Sequence, residues 1–185
     1  MKLYTEDEIQ AIIARVRSRL GGTPDRVPIH PHIPVDIPGT DLGEGIYATI
    51  DEAVNAAERA QQRYADAGTD LREAVVASVR RVMVDNAERL ATMAHEETGL
   101  GRTEDKVRKN ILVATRTPGP EDLAPLIKTG DDGMMLTEHA PFGLVGSITP
   151  VTNPTATVIN NTIAILSGGN AVVFNVHPNA KGVSA

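Results

Sequence analysis

The sequence predicts an α/β protein in which a series of helices leads into the start of a parallel sheet, and the sheet is still incomplete at the last residue. Three observations carry this reading. Residues 144–149 and 171–176 are two short, apolar, β-prone runs. Between them Val158, Ile159, Ile163 and the pair Ile165 and Leu166 recur at helical spacing. Upstream of residue 134 the chain shows helical periods and capping signals instead of strand alternation. A strand, a crossover helix and a second apolar strand make a βαβ unit with a buried parallel sheet.

Bulk properties narrow the function classes. The chain has 185 residues, of which 41% are hydrophobic and 23% charged, an ordinary composition for a folded soluble protein. Aromatic residues make up 3%, tryptophan is absent and the net charge is −6, so stacking platforms for nucleic acid are not expected and the charge repels phosphate backbones. The absence of cysteine removes disulfides, thiolate metal sites and a cysteine nucleophile from these residues. No apolar run approaches the ~18 residues that a membrane span needs. The first residues are amphipathic and carry acids, unlike a secretory signal, so a cytoplasmic location is expected.

Residues 5–20 read as a self-contained helix. Thr5 with Glu8 is a capping box, and Glu6, Asp7 and Glu8 at the start oppose Arg15, Arg17 and Arg19 at the end, which suits the helix dipole. Ile9, Ile12, Ile13, Val16 and Leu20 form one apolar face, closed by Gly21 and Gly22. Such a face either packs on its own domain or docks in another protein's groove. Residues 21–45 favour docking: five prolines and five glycines make them an extended linker. His30 and His32 flank Pro31 there, but two histidines without a third ligand read as solvated loop residues, and no metal site is expected.

The globular part begins near residue 45. Thr49 and Glu52 form a capping box for a helix reaching about Ala67. Thr69 or Asp70 with Glu73 opens the next helix, whose stripe is Leu71, Val75, Val79, Val82 or Met83, Leu90 and Ala94, with a break expected near Asp85 and Asn86. Gly99 and Gly101 end it. Residues 103–116 form a further helix with Val107, Ile111 and Val113, stopped by Pro118 and Pro120. Residues 121–128 are ambiguous, 129–133 have turn chemistry and 134–139 alternate weakly as a strand.

The first apolar run, Leu144, Val145, Ile148 and Thr149, stops at Pro150. Thr152 and Asn153 precede Pro154, an arrangement suited to an N-cap and a proline at the first helical position. Gly168 and Gly169 end the crossover helix. Parallel sheets hold ligands at the carboxyl ends of their strands. Here those ends are Thr149, Pro150, Val151, Thr152 and Asn153 after the first run, and Asn175, Val176, His177 and Pro178 after the second. Two parallel strands cannot bury both faces of their sheet. These residues are therefore expected to be the N-terminal portion of a larger α/β protein, or to be completed by other chains.

Taken together, the motifs resemble the aldehyde dehydrogenase superfamily, most closely its CoA-acylating branch, as in propionaldehyde dehydrogenases of microcompartments. The residues that carry the likeness are Glu97, Thr98 and Gly99 after a long helix; Pro141, Phe142, Gly143, Leu144, Val145 and Gly146; and the turn from Thr149 to Pro154. Asn160 and Asn161 fit as well. So do Ser167, Gly168, Gly169 and Asn170, followed by a strand and His177, Pro178, Asn179, Ala180 and Lys181. The likeness covers most of residues 45–185 and implies the start of a Rossmann-like sheet in an incomplete aldehyde dehydrogenase fold. It implies three parts: a targeting helix at 1–20, a linker at 21–45 and a truncated cofactor-binding domain at 46–185.

The resemblance implies an NAD-dependent oxidoreductase that converts a short-chain aldehyde such as propanal to its acyl-CoA, with coenzyme A as co-substrate. A cysteine thiolate attacks the aldehyde, hydride leaves to NAD, and coenzyme A takes up the thioester. The cysteine belongs to a later domain, so residues 1–185 alone are expected to be inactive. Their contribution would be an oxyanion donor and part of the cofactor site. In many hydrolytic members an asparagine lies two residues after the proline; counting from Pro150 gives Thr152, whereas residue type gives Asn153, which is slightly preferred. Either could also simply cap the helix. Thr149, Pro150, Val151, Asn175, His177 and Pro178 are the implied cofactor contacts. Hydrolytic members carry a lysine, then a glutamate three residues on, where this chain has Asn175 and Pro178; Asn175 and Val176 also depart from the acylating pattern. No GxGxxG supports NAD independently. Relatives in microcompartments bear an amphipathic helix on a linker, so residues 5–20 are expected to bind shell protein, and the whole enzyme to be a homo-oligomer in the cytoplasm or the compartment lumen. The competing reading is a non-catalytic shell-docking module derived from that family.

Overall fold

The computed structural model describes residues 45–185. The helix expected at 5–20 and nearly all of the linker at 21–45, with His30 and His32, lie outside the described residues. The order is α1 (Ile50–Asp66), α2 (Gly68–Asp85), α3 (Ala87–Thr98), α4 (Thr103–Arg116), a 3₁₀ turn (Pro120–Leu123), β1 (Leu126–Gly130), β2 (Gly133–Thr137), β3 (Leu144–Ile148), α5 (Pro154–Ser167), β4 (Ala171–Asn175), a second 3₁₀ turn (Pro178–Ala180) and α6 (Lys181–Ser184).

Local sequence accounts for several boundaries. The capping box of α1 is formed in both directions: the Glu52 amide donates to Thr49 Oγ1 at 3.2 Å, and the Thr49 amide to Glu52 Oε2 at 3.1 Å. The expected box at Thr69 is not formed. Helix α2 already begins at Gly68, and its N-cap position, Ala67, has no side-chain hydrogen bond. The chain turns from α1 into α2 at Ala67 and Gly68, the latter with φ +80°, which puts Thr69 inside the first turn. The break near Asp85 is present, with Asn86 between α2 and α3. Helix α3 ends at Gly99 in the left-handed region, φ 67°.

Helices α2, α4 and α5 share one apolar core. Val76, Ala114, Ile159 and Ile163 are buried in it, flanked by Val79, Met83, Val113 and Leu166. The buried residue of α2 is thus Val76, not its neighbour Val75, and Leu71 is exposed. A second core joins α3 to the end of the chain through Ala94, Ala180 and Val183, with Leu90, Met93 and Val151 against it.

Two separate two-stranded sheets are present among the described residues. Strands β1 and β2 pair antiparallel with Gly130 opposite Gly133 around Asp131 and Asp132. The ambiguous stretch 121–128 therefore contributes a short 3₁₀ turn and then most of β1. The weakly alternating run expected at 134–139 coincides with β2, whereas β1 went unmarked; both strands are exposed along their whole length, so burial imposed no strong alternation on either.

Strands β3 and β4 pair in parallel, with Leu144 opposite Ala171 and Ile148 opposite Asn175. Together with α5 they form the expected βαβ unit. One face of β3 is covered: Ser147 and Thr149 are buried, and Asn161 of α5 donates to Ser147 Oγ at 2.9 Å. The other face is open, leaving Ile148 83% exposed. Helix α1 is tied to the end of α5 by Tyr64, whose hydroxyl donates to the Leu166 carbonyl, and by Gln61, whose amide donates to the Gly169 carbonyl. Burial raises the pKa of the Tyr64 phenol, partly offset by the nearby Arg72 guanidinium.

Candidate active site at the carboxyl ends of the parallel strands

Parallel pairing brings the carboxyl ends of β3 and β4 to one edge, and a main-chain bond continues the ladder one residue past β3: the Thr149 amide donates to the Asn175 carbonyl at 3.1 Å. Thr149, Pro150, Val151 and Asn175 therefore lie side by side. Thr149 is buried, and its hydroxyl has no partner among the described residues. A buried hydroxyl left without a partner costs ~1–3 kcal/mol, so this one suits a ligand or water contact. Pro150 is exposed, whereas Val151 packs into the second core.

Beyond β4, His177 does a structural task. Its Nδ1 accepts the Asn179 amide at 3.1 Å and caps the turn that Pro178 opens. An accepting Nδ1 in the neutral ring puts the proton on Nε2, which is the nitrogen left for a ligand. Asn175 is exposed at its side chain, and Pro178 is exposed as well.

The turn from Thr149 to Pro154 is held by α4. Lys106 Nζ donates to the Thr152 carbonyl at 3.3 Å, and Lys109 Nζ donates to Asn153 Oδ1 at 2.6 Å. Asn153 Nδ2 points toward Thr152 Oγ1 at 3.4 Å. The side-chain cap expected of Asn153 or Thr152 does not form: α5 has Pro154 at its first position, and the Asn153 carbonyl accepts the Thr157 amide, but no side-chain oxygen caps the helix. The Asn153 oxygen is engaged by Lys109 instead.

Neither lysine stood out in the sequence. The apolar positions Val107, Ile111 and Val113 suggest one inward face for α4, but the buried residues are Lys106, Asn110 and Ala114. A spacing of four along that face was the available signal. Lys106 is 6% exposed, and burial, reinforced by the charge of Lys109, lowers its pKa below the usual lysine value. Asn110 beside it accepts from Thr155 Oγ1 at 2.9 Å and donates to the Ala87 carbonyl at 3.3 Å, fixing the start of α5 against α3 and α4.

The remaining motif residues frame the site. Asn170 Oδ1 accepts the amides of Phe142 at 2.6 Å and Gly143 at 3.0 Å, and so holds the entry to β3 against the entry to β4. The Glu97 carboxylate accepts the amides of Gly182 at 2.8 Å and Val183 at 2.7 Å. A cavity of about 340 Å³ lies elsewhere, lined by Thr69, Arg72, Pro120, Ala124 and Ser167 among others; it contains none of the strand-end residues.

The chain belongs to the aldehyde dehydrogenase family, whose model matches residues 40–185. Within it, the chain is similar to CoA-acylating enzymes. It is 48% identical over 147 residues to an acetylating acetaldehyde dehydrogenase of Bilophila wadsworthia, covering 79% of this chain and 30% of that one. It is 39% identical over 177 residues to a CoA-propanoylating propanal dehydrogenase of Salmonella typhimurium, covering 96% and 36%. That alignment reaches into the first 44 residues. Among solved structures, a propionaldehyde dehydrogenase from the Clostridium phytofermentans fucose utilisation microcompartment superposes with a TM-score of 0.72 at 45% identity, covering 76% of this chain and 32% of that one. The Rhodopseudomonas palustris propionaldehyde dehydrogenase with bound propionyl-CoA gives 0.73 at 46%, covering 76% and 31%. An engineered glycolyl-CoA reductase with bound NADP⁺ also superposes, at 0.73 and 45%, covering 76% and 32%. The chain thus spans about a third of the length of the relatives it matches. Among the described residues no helix is long and apolar enough to cross a membrane.

Proposed function

We propose that residues 1–185 are the N-terminal third of a CoA-acylating aldehyde dehydrogenase that oxidises a short aldehyde such as propanal to its acyl-CoA with NAD. The observation that carries this reading is the run of acylating relatives at 39–48% identity, together with a family match that spans the strand-end residues. In this reading the open face of β3 and β4 is covered by later parts of the enzyme, which also bring the cysteine. The domain division follows: a targeting helix at 1–20, a linker at 21–45 and the beginning of the cofactor-binding domain at 46–185.

The chemistry asks two things of these residues. Attack on an aldehyde carbonyl places negative charge on its oxygen, and a donor preset toward that oxygen is worth ~100- to 1,000-fold in rate. Asn153 and Thr152 are the donors available after β3, and Asn153 is the better one because an amide N–H₂ offers two N–H groups. The second task is to seat the cofactor, which supplies the hydride acceptor when bound. The unpartnered Thr149 hydroxyl and the main chain of Pro150 and Val151 suit one side of it, with Asn175, His177 and Pro178 on the other. Asn175 offers an amide where a lysine would grip a ribose, so the adenosine end is held more loosely here.

The test is NAD-dependent formation of propanoyl-CoA from propanal and coenzyme A. The complete polypeptide should turn over and residues 1–185 alone should not. Turnover by residues 1–185 would show that the nucleophile is not missing, and an inert complete polypeptide would favour the alternative, a shell-docking module without catalysis. The likeness to a microcompartment enzyme supports a second role, in which residues 5–20 dock on shell protein inside the compartment. Deleting residues 1–20 should abolish co-purification with shell protein and leave the circular dichroism of the remainder unchanged. Co-purification that survives the deletion would end the docking reading. A homo-oligomer is proposed for the complete enzyme.

A further inference from the structure

Two lysines one helical turn apart on α4 reach the same turn of chain. Lys106 takes the main-chain carbonyl of Thr152 and Lys109 takes the side-chain oxygen of Asn153. The first contact fixes where the turn lies, and the second fixes which way an amide faces. An ammonium group has three donors and no acceptor, so the atom 2.6 Å from Lys109 Nζ has to be the oxygen of Asn153. The nitrogen is then forced to the opposite side. There it has one long contact, 3.4 Å to Thr152 Oγ1, which leaves an N–H without a partner among the described residues.

We infer that Lys109 is a positioning residue: its ammonium locks the Asn153 amide with N–H₂ as the end left for substrate, and thereby makes Asn153, not Thr152, the donor to the aldehyde oxyanion. The inference rests on the proposed reading of the β3–α5 turn as the oxyanion site, and it adds a cause. A free asparagine amide presents its oxygen or its nitrogen with similar ease, and an oxygen facing an oxyanion repels it. A short, charge-assisted bond removes that choice and draws electron density toward Oδ1, which makes the N–H groups stronger donors. Lys106 supports the device from below. It is buried, forms no ion pair among the described residues, and spends its contact on the turn's main chain.

The test uses the complete polypeptide, steady-state kinetics with propanal, NAD and coenzyme A, and the variants Lys109→Met, Lys109→Arg, Asn153→Ala and the double Lys109→Met with Asn153→Ala. Lys109 is exposed, so its replacement should leave the urea midpoint unchanged. Asn153→Ala should lower kcat by ~100- to 1,000-fold. Lys109→Met, which leaves the amide present but free to turn, should lower kcat by roughly 10-fold with all three KM values nearly constant. Lys109→Arg should recover most of the loss. The double variant should be no slower than Asn153→Ala alone, since a lysine that acts only through the amide has nothing left to act on. Additive losses, or a normal kcat in Lys109→Met beside a crippled Asn153→Ala, would overturn the positioning role while leaving the oxyanion reading intact. A normal kcat in Asn153→Ala would overturn that reading, and the inference with it.

Discussion

Replacing Asn170 by alanine removes three hydrogen bonds at once. Its oxygen accepts from the main chain of Phe142 at 2.6 Å and Gly143 at 3.0 Å, and its nitrogen donates to the Ile165 carbonyl at 3.2 Å. The three losses are unequal. The Ile165 carbonyl keeps the Asn170 main-chain amide as a donor, so its loss matters little. Phe142 is exposed, and water can replace its acceptor in part. Gly143 is half-buried, and its amide would be left without a protein partner. At ~1 kcal/mol for a replaced bond and ~1–2 kcal/mol for an abandoned half-buried donor, the sum is about 2–3 kcal/mol. With a urea slope of about 2 kcal/mol per M, the midpoint should fall by roughly 1–1.5 M. Asn170→Asp retains the acceptor that both amides use, adds charge to it and gives up only the Ile165 bond, so it should stay within ~1 kcal/mol of the native chain. Urea titration followed by circular dichroism would compare the three proteins. An alanine variant as stable as the native chain, or an aspartate variant as unstable as alanine, would refute the argument that Asn170 acts as a two-amide acceptor.

Two other substitutions test separate parts of the structure. Gly99→Ala places a side chain at φ 67° with no atom of the described residues within 4 Å of the new Cβ, so only backbone strain opposes it; the expected cost is ~1–2 kcal/mol, read from urea midpoints, and a neutral result would contradict the left-handed cap. The Lys106 pKa is lowered from 10.5 in the folded chain by burial and by Lys109, so between that lowered value and 10.5 the unfolded chain holds more protons, and stability should rise with pH across the window. Lys106→Met should lose that rise and be at least as stable as the native chain at pH values below the window, because the buried charge forms no ion pair among the described residues; a less stable variant there would show that the Thr152 contact outweighs desolvation.

What the sequence showed depended on the range of the interaction. The Thr49 and Glu52 box joins residues three positions apart, and it forms as the pattern predicts. The βαβ unit is visible because its strands are apolar and its crossover helix is periodic, and both are local properties. Strand β1 was hidden because neither it nor β2 is buried, so hydrophobic alternation had no cause. The inward face of α4 was misread for a related reason. It meets a polar turn, so Lys106 and Asn110 lie where an apolar stripe would normally point. In the candidate site, the turns after β3 and β4 could be placed from the strand ends, but the partners of Asn153 could not. Lys109 lies 44 positions earlier, and nothing in the spacing pairs the two. Asn170 and Glu97 belong to recognisable motifs whose partners lie 27 to 86 positions away.

The two bonds from Glu97 to the amides of Gly182 and Val183 have a kinetic consequence. They close a loop of 85 residues that contains α4, the β1–β2 hairpin and the whole βαβ unit. Closure at that separation carries a loop-entropy cost, and it is expected to follow the ordering of the intervening segments. During synthesis the glutamate emerges long before its partners exist, and the last turn of α3 waits for them. Amide exchange at Gly182 and Val183 should therefore be a late reporter of folding, slowing only once everything between the two ends of this clasp has settled.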